Sequence, residues 1–391
     1  MEVGVVGKPN VGKSTFFKAL TLADAEIANF PFTTVKPNIG IGYVKSKDPG
    51  HEFGVVSNPK NSYVKSGFRF SPVKLIDVAG LVPGAHAGKG LGNQFLDDLR
   101  QADVLVHIVD ISGSTSEVGE PTKGHDPGED IRFLEEEIDL WFAAIIERNW
   151  AKIKNKVALE GKDLGKELAD VLGGLGIVEA QIVRALRKSE FADLKRPTEE
   201  EIRSFATQLR RVSKPIIIAA NKIDLDKDGN FARLKEEFDL VPCCAEAELA
   251  LRVADSKGVI DYVPGEGDFK VLVEQDEKHS RALEFVRSKL LKVHGSTGVQ
   301  SCLNRAVFDV LKYIVAYPVE NENKYSDKKG NVLPDSHLIA GGSTALDLAF
   351  KVHSSIGERF IGAIDCKTKM KVGKDHNLKD GDVVKIITSR K

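Results

Sequence analysis

Gly7-Lys8-Pro9-Asn10-Val11-Gly12-Lys13-Ser14 sits between a short apolar run, Glu2 to Val6, and a helix-forming run that opens at Lys13. No other feature constrains the chain as strongly. G-x-x-x-x-G-K-[ST] is a phosphate-binding loop when a strand feeds it and a helix leaves it. Gly7 and Gly12 let the backbone curl round a phosphate, while loop amides and the helix N-terminus supply positive potential. Lys13 then places a point charge at the β- and γ-phosphates, and Ser14 offers a hydroxyl to Mg²⁺. The expected phosphate set is Asn10, Val11, Gly12, Lys13, Ser14 and Thr15. Further β-branched runs at Val73 to Ile76, Val104 to Val109 and Ile216 to Ala219 are bounded by turn residues, as buried parallel strands are. Alternation with helices predicts an α/β, doubly wound sheet.

Two strand ends carry more chemistry. Asp77-Val78-Ala79-Gly80 closes the run at Ile76. An acid there can hold Mg²⁺ through water, and the Gly80 amide can reach a γ-phosphate. Asn221-Lys222-Ile223-Asp224 follows the run at Ala219. Guanine presents two donors side by side, and the Asp224 carboxylate can accept both. Adenine offers neither, leaving a buried charge unpaired at a cost of about 1–3 kcal/mol or more. The Lys222 stem can lie along the base, Asn221 can brace the phosphate loop, and the Ala245 amide is placed for the base oxygen.

The 391 residues exceed one ordinary domain. Helical spacing of Ile131, Leu134, Ile138, Phe142 and Ile145, a helix over Leu175 to Leu186, and a Thr198–Glu201 capping box predict an inserted helical region. It reads as a coiled-coil-like hairpin or as extra helices packed on the sheet. From Leu311 the pattern becomes small α+β, with strands at Arg359 to Ile364 and Asp382 to Ile387 and a capped helix at Ser343 to Ala349. The expected division is 1–130 and 213–310 for the nucleotide domain, 131–212 for the insertion and 311–391 for the last domain.

Charge excludes little: the net is -1 with 29% charged residues, so no global field marks a nucleic-acid or membrane binder. No run of some 18 apolar residues predicts a membrane helix. The N-terminus runs straight into a motif and lacks a secretion signal's charged region, so a cytoplasmic protein is expected. Cys243, Cys244, Cys302 and Cys366 lack metal spacing and read as buried thiols.

The strings Asn29-Phe30-Pro31-Phe32-Thr33-Thr34, Asp77 to His86 and Gly90-Leu91-Gly92-Asn93-Gln94-Phe95-Leu96 resemble those of Obg-related GTPases, and more closely their YchF-like branch. The last domain is similar to a TGS domain, a ubiquitin-like β-grasp module, so the resemblance covers nearly the whole chain. It implies that Thr34, or Thr33 if the register shifts by one, joins Ser14 and Asp77 at Mg²⁺, and that Gly80 to Gly92 forms a second switch. Lys13, Thr34 and Gly80 become the expected catalytic set. Many members carry N-x-x-E in the base motif and prefer ATP; Asp224 departs from that and predicts GTP.

Leu81 follows Gly80 where Ras-like enzymes place a water-orienting glutamine, so slow hydrolysis is expected. Asn10 resembles an asparagine that coordinates K⁺ in related GTPases, and equally reads as a turn residue. His86 is either a water-positioner or a solvent-facing loop histidine. The segment from Leu311 carries 14 Lys/Arg against 10 Asp/Glu, and Lys367, Lys369, Lys371 and Lys374 cluster near a turn. With the family's link to translation, that implies an RNA or ribosome partner. The expected function is GTP hydrolysis by a ribosome-associated switch; the alternative is an ATP-hydrolysing enzyme whose hydrolysis is itself the output.

Overall fold

The computed structural model describes residues 1–22, 38–78, 92–189, 191 and 197–389, without the side chains of 92–94 and 96. Thr33, Thr34, Gly80, Leu81 and His86 lie outside the described residues.

β1 (Glu2–Val6) is apolar enough to be buried on both faces, and it delivers the phosphate loop to α1 (Lys13–Thr21). β2 (Ile39–Lys47), the short α2 (Gly50–Phe53), β3 (Tyr63–Lys65) and β4 (Phe68–Asp77) follow, then α3 (Gly92–Gln101) and the wholly buried β5 (Val104–Asp110). β6 (Ile216–Asn221) and β7 (Leu240–Pro242) complete a sheet ordered β2-β4-β1-β5-β6-β7, with β3 on β4. β4, β5, β6 and β7 are joined in parallel through β1, as anticipated. The far edge differs: β2 and β3 run antiparallel to β4. Only two residues, Ser66 (φ 50°) and Gly67 (φ 80°), separate β3 from β4. Both are left-handed, which makes a tight hairpin turn and forbids the long crossover a parallel pair needs.

Between β5 and β6 stand four helices: α4 (Pro127–Glu160), α5 (Leu164–Leu172), α6 (Glu179–Leu186) and α7 (Glu199–Ser213). Asp126 caps α4 by accepting from the Gly128 amide, Pro127 sets the first turn, and Gly161 at φ 64° ends it. Ile131 packs against β5 and β6, while Leu134, Ile138 and Phe142 share one core with Leu168, Leu172, Ile182 and Phe205. That core continues into Val6, Leu105, Phe95 and Leu99, so these are helices packed on the sheet rather than a projecting hairpin. The Thr198–Glu201 capping box is present at α7. The helix expected over Leu175 to Leu186 is shorter: a 3₁₀ turn ends at Leu175, Gly176 turns left-handed at φ 73°, and α6 starts only at Glu179.

After β6 come α8 (Asn230–Leu234), α9 (Ala245–Ser256), a hairpin of β8 (Ile260–Tyr262) and β9 (Phe269–Val271), α10 (Glu277–Phe285), α11 (Lys292–His294) and α12 (Val299–Asn304). The last unit holds β10 (Tyr313–Val319), β11 (His337–Ala340), α13 (Ala345–Val352), α14 (Ser354–Glu358), β12 (Phe360–Asp365), β13 (Lys371–Val372) and β14 (Val383–Thr388), with sheet order β11-β10-β14-β12-β13. Leu348 of α13 packs on Ala316, Ala363 and Val384. The opposite face, through Val315, Tyr317 and Val383, joins the core of β1 and α1. Arg69 of β4 is fully buried at this junction: its Nη2 donates to Leu333 O at 2.7 Å, its Nη1 lies 3.5 Å from Asp48, and its guanidinium lies over the Tyr317 ring.

Candidate nucleotide site

Gly12 stands at φ 95°, and a Cβ on it would fall 2.4 Å from Asn221 Nδ2. The glycine is therefore required twice, by its left-handed backbone and by the side chain pressed against it. Asn221, buried at the end of β6, donates from Nδ2 to Val11 O at 2.8 Å and accepts from the Ala245 amide at Oδ1, 2.9 Å. One side chain thus fastens the phosphate loop to the start of α9. The Ala245 amide, expected to meet a base oxygen, is engaged with Asn221; a buried amide at a helix start takes the nearest acceptor. The Val11 side chain is buried in the core, so that residue offers only its backbone.

A cavity of about 490 Å³ runs from the loop residues Asn10, Gly12, Lys13, Ser14 and Thr15 to Asp224, Cys244 and Ala245. Lys222 lies between the two ends. Its φ of 61° turns the chain sharply after β6, and its Nζ donates to Asn10 O at 3.0 Å and Asp110 Oδ2 at 2.8 Å. Asp224 sits in the following 3₁₀ turn and is exposed, not buried as the base reading expected, because that turn lies at the open mouth of the cavity. Burial and the neighbouring Asp224 push the Cys244 thiol up to about 12, so it is a neutral donor toward that carboxylate.

Lys13 and Asp77 are brought together as expected, but onto each other: Lys13 Nζ pairs with the Asp77 carboxylate and donates to Val78 O at 3.0 Å. A lysine at the start of α1 and a carboxylate at the end of β4 neutralise one another in this geometry. Ser14 is exposed at the cavity. Ser14 and Asp77 carry oxygens of the kind Mg²⁺ prefers, and they would be its holders here; among the described residues no His, Cys, Asp and Glu cluster forms a metal site of its own. Asn10 has φ 63° and donates from Nδ2 to Gly119 O at 2.9 Å, a turn residue whose side-chain oxygen alone is left for a cation. The four cysteines are free and buried, and Cys243 Sγ lies 3.5 Å from Cys302 Sγ.

A strap between β5 and α4, residues 111–126, escaped the sequence reading. Gly119 lies against Pro9; a Cβ there would stand 2.7 Å from Pro9 Cβ. Lys8 is buried, donates to Thr115 O at 2.9 Å and pairs with Asp130 at 2.6 Å, and His125 bonds the same carboxylate at 2.9 Å. Burial and the neighbouring Lys8 hold the His107 imidazole down to about 3. Asp110, buried at the end of β5, would be raised by desolvation, but bonds from Lys222, Ser112, Thr115 and Ser114 outweigh it and hold the carboxyl below its ordinary range.

Strand order, phosphate loop and cavity together define a P-loop nucleotide-binding protein with an added C-terminal β-grasp unit. Three family descriptions match: "50S ribosome-binding GTPase" over residues 2–142, "Obg-like GTPase YGR210-like, G4 motif-containing domain" over 219–321 and "TGS domain" over 325–388. An uncharacterized GTP-binding protein of Methanocaldococcus jannaschii is 51% identical, covering 100% of this chain and 99% of that one. Proteins named ribosome-binding ATPase YchF are similar at lower identity, 27% for that of Buchnera aphidicola over 98% of each chain. A crystal structure of a GTP-binding protein from Pyrococcus horikoshii covers 100% of both chains at 40% identity and TM-score 0.78. The YchF GTPase of Schizosaccharomyces pombe has the same fold at 18% identity, TM-score 0.61, covering 99% of this chain and 97% of that one. The chain belongs to the Obg-related GTP-binding proteins, in their YchF-like branch.

Proposed function

We propose that the chain binds GTP in preference to ATP, hydrolyses it slowly with Mg²⁺, and acts in the cytoplasm as a switch on the ribosome. One observation carries the base preference: the Asp224 carboxylate stands at the far end of the cavity that begins at the phosphate loop. A guanine edge satisfies it with two donors and an adenine edge with none. In this reading Ser14, Asp77 and Thr34 would hold Mg²⁺, whose charge would be supplied against that of the phosphates. Lys13 exchanges Asp77 for phosphate oxygens, and the Gly80 amide meets the γ-phosphate. K⁺ beside Asn10 Oδ1 would supply further positive charge.

All four lysines expected near the turn are exposed: Lys367 is paired with Glu52, Lys369 donates to Glu322 O and lies over Tyr325, and Lys371 and Lys374 lie beside them. Support for the ribosome comes from the family description and from the names of the YchF relatives. Those relatives are named ATPases, which favours the second reading, hydrolysis of ATP as the output in itself.

A paired titration of GTP and ATP onto the full chain with Mg²⁺, in K⁺ and in Na⁺, separates the readings. Tight GTP and weak ATP binding is the expected result; comparable or tighter ATP binding sinks the guanine reading. Ribosome co-sedimentation should be stronger with a non-hydrolysable GTP analogue than with GDP, and equal binding removes the switch.

A further inference from the structure

Asp110 is 1% exposed at the last residue of β5. A carboxylate there is costly unless every lone pair is met. Ser112 N and Oγ donate to Oδ1 at 3.1 and 2.6 Å, Ser114 Oγ donates to Oδ2 at 2.9 Å, and Thr115 Oγ1 donates to Oδ2 as well. The strap's first turn is thus folded around this one group. Its charge is balanced from the other side of the site: Lys222 Nζ is 2.8 Å away. The same ammonium donates to Asn10 O, whose residue in turn donates to Gly119 O of the strap.

The connections form a closed ring. The strap holds Asp110, Asp110 holds Lys222, Lys222 holds the turn of the phosphate loop, and that turn returns to the strap. Lys222 is 26% exposed and lines the cavity between Asp224 and the loop. A free lysine has four rotatable bonds and a strongly hydrated head, so a stem laid across a base costs entropy at binding unless it is already fixed.

We propose that Asp110 is a positioning residue for nucleotide affinity: it anchors the Lys222 ammonium so that the lysine stem is already in place along the base. This rests on the guanine-site reading above, but the two can fail separately. Asp110 does not line the cavity and acts through Lys222, so its effect should vanish when the lysine head is gone.

The test is a double-mutant cycle on the full chain with Mg²⁺, read as GDP and ADP affinity by titration. Asp110→Asn keeps the shape and removes the charge. It should weaken GDP binding about tenfold, yet less than twofold in a Lys222→Met background. Losses that simply multiply, or no loss in the single variant, overturn the proposal, since a merely structural role would persist without the lysine. Asp224→Asn is run beside them: unchanged GDP affinity there refutes the base reading, while the cycle still reports on Asp110. If Asp110→Asn does not fold, Asp110→Ser, which leaves Ser112, Ser114 and Thr115 free to bond one another, carries the same cycle.

Discussion

Gly12 shows how one atom can be decisive. An alanine there meets two penalties, about 1–2 kcal/mol for a left-handed backbone and a Cβ 2.4 Å from Asn221 Nδ2. Asn221 has to give way, and it is the side chain joining Val11 to Ala245. Gly12→Ala should therefore lower nucleotide affinity by more than about tenfold while shifting the melting temperature little; a titration together with a melting curve checks both. The motif residues were legible because their meaning is local: a glycine, a lysine and a hydroxyl at fixed spacing. Lys8 was not. Its charge was visible, but its acceptor at Thr115 lies 107 residues away, and no spacing rule connects them.

At the scale of elements, α3 ends on a lysine from another helix. Lys214, just past α7, donates to Arg100 O at 3.0 Å and Ala102 O at 2.6 Å, closing the carbonyl end of α3. Burial lowers its pKa from 10.5 to about 8. The sign follows from proton counts. Between pH 8 and 10.5 the unfolded chain keeps this proton while the folded chain has lost it, so stability rises with pH in that window, by at most about 1.4 kcal/mol per pH unit. Urea denaturation at several pH values should show wild type gaining on Lys214→Met from pH 8 upward; a constant difference contradicts the assignment. Among strands, β1, β5 and β6 announced themselves as apolar runs, whereas β2 did not. Gly40 and Gly42 break its pattern because α1 and Leu75 press against it: added Cβ atoms would stand 2.5 Å from Thr21 and 2.7 Å from Leu75. Residues chosen for close approach hide the strand that carries them.

At the scale of the molecule, the nucleotide domain and the C-terminal unit share one core, and Arg69 is its polar pin. Removing the guanidinium leaves Asp48 buried without its cation, so Arg69→Met should cost about 3–5 kcal/mol and make the link before β11 more open to proteolysis. Urea denaturation and limited digestion read the two effects; an unchanged denaturation midpoint would mean the junction is held by the apolar contacts alone. The three-part organisation was legible from changes in period along the chain, but the junction was not, because its partners come from β4 and from the approach to β11. The helix α4 has a further property that follows from its length. Its 34 residues make a rod of about 51 Å at 1.5 Å per residue. Near its root, Asp130 grips Lys8 of the phosphate loop; at its other end Leu159 is 82% exposed. Ile146, Trp150 and Ile153 keep the rod packed in the shared core almost to that far end, so a single rigid element ties the phosphate loop to the whole of the inserted bundle.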